Sequence, residues 1–194
     1  MTLILIPAAG ASSRMRGADK LLEEVDGAPL LARQAARARA SGCPVMVTLP
    51  PDKPARAAAL HGAGVTLQTV ADAAEGIAAS LRAGAAAALA QGAVGLLVLL
   101  PDLPQITTDD INTVLQAIDE TDDIIRATAA DGTPGHPTWF AAHVLPEFAK
   151  LSGDLGAAHI MKAHRVRLVA LPGARATLDL DTPEAWAAWR ALRR

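Results

Sequence analysis

The chain has 194 residues and a formal net charge of −2, and 51% of its residues are hydrophobic while only 3% are aromatic. This length predicts a single domain over residues 1–194, with a sizeable core of aliphatic side chains. The weak charge gives no basis for binding nucleic acid or a membrane surface. No apolar run approaches the length of a membrane span, and the single cysteine excludes an internal disulfide. We therefore expect a cytoplasmic protein.

Apolar patterning predicts strands and helices that alternate along the whole chain. The predicted strands are 3–6, 45–49, 65–70, 94–100, 124–128 and 166–171, and the predicted helices are 29–40, 53–61, 76–90, one beginning at Thr107 and one beginning at Thr182. The continuous apolar run 94–100 suits a central strand that is covered on both faces. This order favours a single Rossmann-like domain of three α/β/α layers around a mostly parallel sheet. Ligands of such sheets bind beyond the carboxyl ends of the strands.

The first strand opens into a loop of small residues that carries two cations. From residue 5 to residue 20 it reads L-I-P-A-A-G-A-S-S-R-M-R-G-A-D-K. Small side chains let a phosphate approach backbone N–H groups, and Arg14 and Lys20 can balance charge on a transferring phosphoryl group. The loop is neither a Walker A motif nor a dinucleotide fingerprint, because both spacings are absent. On these residues alone, a phosphate-binding loop and an ordinary strand-to-helix connection are equally open.

An aspartate stands where a parallel sheet places ligands, and two further aspartates precede the last predicted helix. Asp102, in the sequence P-D-L-P, directly follows the apolar run 94–100, and Asp179 and Asp181 belong to D-L-D-T-P-E before the last predicted helix. Magnesium takes hard oxygen ligands, usually one or two carboxylates together with substrate phosphates. The alternatives are an aspartate in a proline-rich turn, which spacing alone favours for Asp102, and ordinary helix capping near the C-terminus.

Two further motifs lie where a helix is expected to begin. The sequence E-G-I-A-A-S-L at 75–81 places Gly76 and Ser80 at a helix N-terminus, whose N–H groups suit an anion or a polar base edge. A plain helix cap is an equally good interpretation. In S-G-D-L-G-A at 152–157, Asp154 can cap the following helix or shape a pocket.

The segment 132–140 reads G-T-P-G-H-P-T-W-F. Gly135 and Pro137 suggest a fixed turn from which His136 projects. A lone histidine is more often a hydrogen-bonding surface residue than a catalyst, so these residues alone do not predict proton transfer by His136.

These motifs together resemble the nucleoside-triphosphate transferase superfamily, and most closely its MobA-like molybdenum cofactor nucleotidyltransferases. The resemblance rests on A-A-G-x-S-S-R-M-x-G-x-D-K in the opening loop and on the shorter motifs in the same order, and it spans residues 5–186. It implies the nucleotide-diphospho-sugar transferase fold. It also implies that an acceptor phosphate attacks the α-phosphorus of a nucleoside triphosphate and that pyrophosphate leaves. The sequences A-A-G and G-x-x-x-S-L are more similar to the cytidylyl branch, which implies CTP as the donor and molybdopterin-type cofactor as the acceptor.

The resemblance also implies a role for each motif residue. The implied nucleotide-binding residues are Ala8, Ala9, Gly10, Ser12, Ser13, Arg14, Lys20, Gly76 and Ser80. The implied catalytic residues are Arg14, Lys20 and Asp102. The implied ligands of Mg²⁺ are Asp102 and Asp179, with Asp181 as the alternative to Asp179. The implied acceptor-binding residues are Gly135, His136, Pro137 and Asp154.

Other functions remain open at the level of sequence. One is a related transferase that uses GTP or acts on a sugar phosphate. Another is a nucleotide-binding partner or chaperone of a molybdoenzyme that has no turnover. The expected partners are a nucleoside triphosphate and a phosphorylated small molecule, with a molybdoenzyme or its chaperone as a further candidate.

Overall fold

The computed structural model describes residues 1–10, 15, 18–154 and 156–191. The strands are β1 (Leu3–Pro7), β2 (Glu24–Val25), β3 (Ala28–Pro29), β4 (Val45–Leu49), β5 (Thr66–Thr69), β6 (Gly95–Val98), β7 (Ile124–Thr128), β8 (Pro134–Ala141) and β9 (Val166–Ala170). The α-helices are α1 (Leu30–Ala40), α2 (Pro54–Ala59), α3 (Ile77–Ala90), α4 (Thr108–Gln116), α5 (Ala158–Ala163) and α6 (Pro183–Ala191). Short 3-10 turns cover Lys20–Leu22, Ala73–Glu75 and Leu145–Lys150.

A seven-stranded sheet with the order β5-β4-β1-β6-β8-β7-β9 forms the middle layer. Six of its strands are parallel, and β8 runs antiparallel to both of its neighbours. The run 94–100 provides the central strand β6, and the polar run 65–70 provides the edge strand β5, as predicted. Helices cover the two faces, so the Rossmann-like three-layer α/β/α prediction is confirmed.

Strand β8 is the main element that the sequence did not predict. Gly135 and Pro137 suggested a fixed turn, and that expectation was wrong, because both residues lie in a strand. The second half of β8, from Thr138 onward, is buried and pairs with both β6 and β7. Gly135 makes the strand possible in this place, because a Cβ atom there would lie 2.0 Å from the carbonyl oxygen of Ala176.

Helix α3 packs closely against strand β1 of the sheet. The side chains of β1 from Leu3 to Ile6 are at most 2% exposed. A Cβ atom on Gly84 of α3 would lie only 2.4 Å from Leu5 Cδ2, so the helix needs glycine to approach the strand this closely. On the other side, α1 packs against α4. The beginning of α3 is thereby held near the carboxyl end of β1.

The last helix packs away from the main core and secures the segment before it. Thr182 caps α6, as predicted, because its hydroxyl accepts from Ala185 N at 3.2 Å. Trp186 is buried, and its indole N–H donates to the carbonyl oxygen of Leu180 at 3.1 Å. This bond fixes the backbone between Asp179 and Asp181.

None of the helices in the described ranges is long and apolar enough to cross a lipid bilayer.

Candidate active site

A cleft of about 590 Å³ opens at the carboxyl ends of β1 and β6. Its lining includes the residues that directly follow these strands and the beginning of α3. The lining residues are Pro7, Gly10, Lys20, Leu21, Ala73, Ala74, Gly76, Ile77, Ser80, Leu100, Pro101, Asp102, Asp154 and Asp181. The cleft lies where ligands bind in open α/β sheets.

The structure brings the two acidic motifs together. The main-chain N–H of Leu180 donates to the carbonyl oxygen of Asp102 at 3.2 Å. Asp102 and Asp181 line the same cleft, whereas Asp179, on the other side of Leu180 in the sequence, is exposed and is not among the lining residues. Residues far apart in the sequence therefore form one acidic site.

Lys20 connects the opening loop to this acidic site. Its ammonium group donates to Asp102 Oδ2 at 2.7 Å and also to Asp181 Oδ1. Burial opposes the charge of Lys20, but the carboxylates of Asp102 and Asp181 outweigh it and raise the pKa of Lys20. Lys20 is therefore protonated at neutral pH and is available as a cation in the cleft.

The carboxylates of Asp102 and Asp179 have properties that favour the binding of a metal cation. Asp102 Oδ1 is buried and has no hydrogen-bond partner in the described part of the chain, which is costly for a carboxylate oxygen. Burial, followed by the charges of Asp181 and Asp102, raises the pKa of Asp179. A divalent cation would give Asp102 Oδ1 a partner and would offset the negative charge around Asp179. These two residues therefore fit a divalent cation. Among the described residues, no group of three or more His, Cys, Asp or Glu could hold a metal ion. Magnesium, however, commonly takes one or two carboxylates and completes its shell with phosphate and water.

The predicted nucleotide-binding residues are only partly within the described ranges. Ala8 and Ala9 are buried, and Gly10 lines the cleft. Gly76 and Ser80 line the same cleft from the start of α3. The predictions for Ser12, Ser13 and Arg14 lie outside the described residues.

Gly76 and Asp154 form a tight contact in the cleft wall. A Cβ atom on Gly76 would lie 2.2 Å from Asp154 Oδ1, and the φ angle of Gly76 is +114°. The main chain next to them is also joined, since Ala78 N donates to Gly153 O at 3.2 Å. Asp154 does not cap the next helix, because α5 begins only at Ala158 after an Ala157 cap. Of the two roles that the sequence left open for Asp154, helix capping is therefore wrong.

His136 lies on β8 and is held in place by main-chain and side-chain contacts. Its main-chain N–H donates to Ala176 O at 2.9 Å, and its Nδ1 lies 3.4 Å from the Thr138 hydroxyl. Burial and the nearby charge of Arg126 lower the pKa of His136 to about 4, although the Val98 backbone and Asp102 act in the opposite direction. The imidazole is therefore neutral at pH 7. Gly135, His136 and Pro137 are not among the residues that line the cleft.

Sequence reasoning missed an arginine that contacts the opening loop. The side chain of Arg56 in α2 is fully buried and donates hydrogen bonds to Ala8, Gly10 and Asp19. In the sequence, Arg56 is one basic residue in an alanine-rich helix, so no local pattern distinguished it from a solvated side chain. Only the burial of its guanidinium reveals the contact.

Comparisons with known proteins identify the family to which this chain belongs. The family model of the MobA-like NTP transferase domain matches residues 4–168. The purine catabolism protein PucB of Bacillus subtilis is 30% identical over 122 residues, which are 61% of this chain and 58% of PucB. The chain therefore spans less than two thirds of the length of that relative.

Solved structures extend the similarity over nearly the whole chain. Rv0371c of Mycobacterium tuberculosis is 32% identical and has a TM-score of 0.81, with 98% of this chain and 96% of that chain covered. A complex of Rv0371c with manganese matches with 28% identity, a TM-score of 0.78 and coverage of 96% of each chain. A nucleotidyl transferase from Methanothermobacter thermautotroptrophicus shares the fold, with a TM-score of 0.83 at 19% identity and coverage of 100% of this chain and 98% of that chain. The chain belongs to the MobA-like NTP transferase family of nucleotidyltransferases.

Proposed function

We propose that this chain is a single-domain cytoplasmic enzyme that transfers a nucleoside monophosphate, with CTP as the preferred donor, to the phosphate of a molybdopterin-type acceptor. The observation that supports the proposal is the position of Lys20, whose ammonium group contacts Asp102 and Asp181 in a cleft at the carboxyl ends of β1 and β6. A cation and a group of carboxylates in one cleft are what a reaction between two phosphates requires.

In the proposed reaction, an oxygen of the acceptor phosphate forms a bond to the α-phosphorus of the nucleotide. The bond between the α-phosphorus and the bridging oxygen of pyrophosphate breaks, and pyrophosphate leaves with the electron pair. The acceptor phosphate is already anionic at neutral pH, so no strong general base is needed. Catalysis then consists of positioning and charge neutralisation, which Lys20 and Arg14 supply to the leaving phosphates.

Asp102 and Asp179 would hold the Mg²⁺ of this reaction. The buried, unpartnered Oδ1 of Asp102 and the raised pKa of Asp179 both support a bound cation at this place. When bound, Mg²⁺ supplies positive charge to the phosphates and helps to orient them. The manganese complex of the relative Rv0371c is consistent with a divalent cation in this family.

The nucleotide would lie against small residues of the opening loop and the start of α3. Ala8, Ala9 and Gly10 present no long side chain that would keep a phosphate from the backbone, and Ser12 and Ser13 add hydroxyl groups. Gly76 and Ser80 would contact the nucleotide from the opposite wall. The preference for CTP rests on the cytidylyl-type sequence of these two segments.

The acceptor would occupy the side of the cleft between Asp154 and β8. Asp154 lines the cleft, and His136 is near enough to Asp102 for the carboxylate charge to influence its pKa. A neutral imidazole can donate one hydrogen bond and accept another, whereas the carbonyl groups of Gly135 and Pro137 can only accept. The imidazole and the two carbonyl groups suit a polar acceptor because they carry no net charge that would repel its phosphate.

The test is pyrophosphate release from CTP, GTP, ATP or UTP in the presence of Mg²⁺ and molybdopterin-type cofactor. We expect CTP to give the highest rate and to need both the cation and the acceptor. Faster release with GTP would instead indicate a guanylyltransferase. Release only with a sugar phosphate would show that the acceptor is a sugar phosphate and not a molybdopterin-type cofactor. Nucleotide binding without pyrophosphate release from any pair would indicate a non-catalytic binding partner and would contradict the proposal.

A further inference from the structure

A fully buried arginine binds the opening loop at two separate points. Arg56 Nη1 donates to the carbonyl oxygens of Ala8 at 2.6 Å and Gly10 at 2.8 Å. Its Nε and Nη2 donate to the two carboxylate oxygens of Asp19 at 2.7 Å and 2.9 Å. A buried guanidinium is unfavourable unless its donors are satisfied, and here loop atoms satisfy them on both sides. The position of Arg56 therefore defines the distance between the beginning and the end of the loop.

Asp19 connects Arg56 to the cleft. Its Oδ1 also accepts from Leu21 N at 3.2 Å and so caps the turn Lys20–Leu22. Burial opposes the negative charge of Asp19, but the hydrogen bond and the charge of Arg56 outweigh it and lower the pKa of Asp19. The carboxylate is therefore charged at neutral pH and holds the turn that begins with Lys20. The ammonium group of Lys20 reaches Asp102 and Asp181 from this turn.

We propose that Arg56 is a positioning residue for nucleotidyl transfer, which aims Lys20 at the phosphates through Asp19. The inference rests on the proposed function and adds to it a residue outside the cleft. Arg56 acts through its partners and does not touch the nucleotide, since its side chain is 0% exposed. Its bonds to Ala8 and Gly10 hold the backbone of the opposite end of the loop in the same way.

The alternative is that Arg56 only stabilises the fold. A conservative variant separates these roles, because Arg56→Lys keeps the charge but replaces the planar five-donor fork with a single ammonium group. Arg167→Lys is the matched control. Arg167 donates to buried Asp122, which lies before β7 and therefore at the end of the sheet opposite the cleft. Both variants weaken one arginine–aspartate contact, in which Asp19 is partly buried and Asp122 is buried.

The first experiment measures pyrophosphate release at saturating nucleotide, acceptor and Mg²⁺. We expect Arg56→Lys to lower kcat on the order of 10- to 100-fold, with a smaller change in the KM for nucleotide, because a displaced catalytic group costs up to this factor. Arg167→Lys is expected to keep kcat within about two-fold, as is normal for a substitution distant from the chemistry. If Arg56→Lys lowers only the melting temperature and keeps the wild-type kcat, the inference is wrong.

A double-mutant cycle tests the connection to Lys20. In a Lys20→Met background, Arg56→Lys is expected to cause little further loss of kcat, because the group that it positions is already absent. Independent losses that multiply would contradict the inference. Asp19→Asn, which removes the charge but keeps the shape, is expected to reproduce the Arg56→Lys profile and replaces it if that variant does not fold.

A crystal structure of the Arg56→Lys variant gives a result that does not depend on turnover. We expect the contact between Lys20 Nζ and Asp102 Oδ2, 2.7 Å in the native chain, to be lost. If the wild-type chain released no pyrophosphate with any nucleotide, the proposed function would fail. An unchanged contact in an otherwise active enzyme would overturn only the positioning role.

Discussion

The N–H of Leu180 donates to the carbonyl oxygen of Asp102 across 3.2 Å, and this single main-chain bond joins the loop after the central strand to the segment before the last helix. Trp186 reinforces the contact because its indole N–H binds the carbonyl oxygen of the same Leu180. The acidic site is therefore built on backbone contacts from β6 and α6. The bond uses no carboxylate oxygen, so Lys20 can bind the carboxylates of Asp102 and Asp181.

Replacement of Asp102 by asparagine is expected to abolish turnover while the fold persists. Asparagine has nearly the same shape, but it removes the charge that would hold Mg²⁺ and that contacts Lys20. The loss of charge neutralisation is expected to cost several kcal/mol in the transition state. Pyrophosphate release and thermal unfolding of the variant measure the two effects separately.

Asp109→Asn is a suitable control for Asp102→Asn because Asp109 is exposed in the first turn of α4. We expect it to keep wild-type turnover. Near-normal turnover of Asp102→Asn with Mg²⁺ would contradict the assignment of this carboxylate to the metal.

Much of the fold was predictable from the sequence because several of its strands, such as β1 and β4, are continuous apolar runs. The runs at β1 and β4 are buried on both faces, so hydrophobicity alone indicates them. Strand β8 was not predictable in the same way, since glycine and two prolines at its start have the composition of a turn. It forms a hairpin with β7, which ends at Thr128, but it also pairs with β6, which is distant in the sequence, and local patterns carry no information about that second partner.

In the candidate site, too, some residues could be predicted from the sequence and others could not. Asp102 and Lys20 stand in motifs that could be recognised from the sequence, and both line the cleft. Arg56 could not be recognised, because its role depends on burial against a loop more than 30 residues earlier and not on a motif. Likewise, the contact between Gly76 and Asp154 joins two motifs whose proximity only the folded chain reveals.

Asparagine variants of Asp179 and Asp181 are expected to have different effects. Asp181 binds Lys20, whereas Asp179 has a pKa raised by burial and by the charges of Asp181 and Asp102. We expect Asp179→Asn to raise the Mg²⁺ concentration for half-maximal activity by at least on the order of 10-fold, a loss that even outer partners of metal ligands produce. Asp181→Asn is expected to lower kcat with a smaller change in the Mg²⁺ requirement. Titration of both variants with Mg²⁺ checks this, and the reverse pattern would exchange the two assignments.

Lys20→Met and Arg14→Ala are expected to lower kcat more than they raise the KM for nucleotide. Both cations are proposed to act on charge that grows as pyrophosphate departs, so their contribution is larger in the transition state than in the bound substrate. The loss for each is expected to be on the order of 100-fold. Steady-state kinetics with varied nucleotide measures the two constants. A higher KM at unchanged kcat would identify that residue as a binder of the ground state only.

Gly76→Ala is expected to weaken both the fold and the nucleotide site. The residue has a φ angle of +114°, and an added Cβ atom would meet Asp154 Oδ1 at 2.2 Å and Gly153 O at 2.8 Å. We expect a loss of roughly 1–3 kcal/mol in the free energy of unfolding, together with a higher KM for nucleotide. Denaturant unfolding and steady-state kinetics provide the two measurements.

Gly132→Ala is the matched control for Gly76→Ala. Gly132 has a φ angle of +86°, but no atom lies within 4 Å of its added Cβ position. It therefore reports the cost of the backbone conformation without the collision. Equal losses in the two variants, with an unchanged KM in both, would show that the contact between Gly76 and Asp154 does not shape the nucleotide site.

The free energy of unfolding is expected to depend on pH through His136. Burial and the charge of Arg126 lower its pKa to about 4, whereas a histidine in an unfolded chain titrates near about 6.5. Between these values the unfolded state binds more protons, so stability rises with pH through this window and is lost on acidification from pH ~6.5 toward pH ~4. The contribution is on the order of 3 kcal/mol, at about 1.4 kcal/mol for each pKa unit. Denaturant unfolding at several pH values, compared between the wild type and His136→Gln, measures this contribution.

The His136→Gln variant is expected to show a shallower pH dependence of the free energy of unfolding. His61→Gln, which changes an exposed side chain, is expected to keep the wild-type slope. The same slope in His136→Gln and the wild type would show that this histidine is not buried in its neutral form.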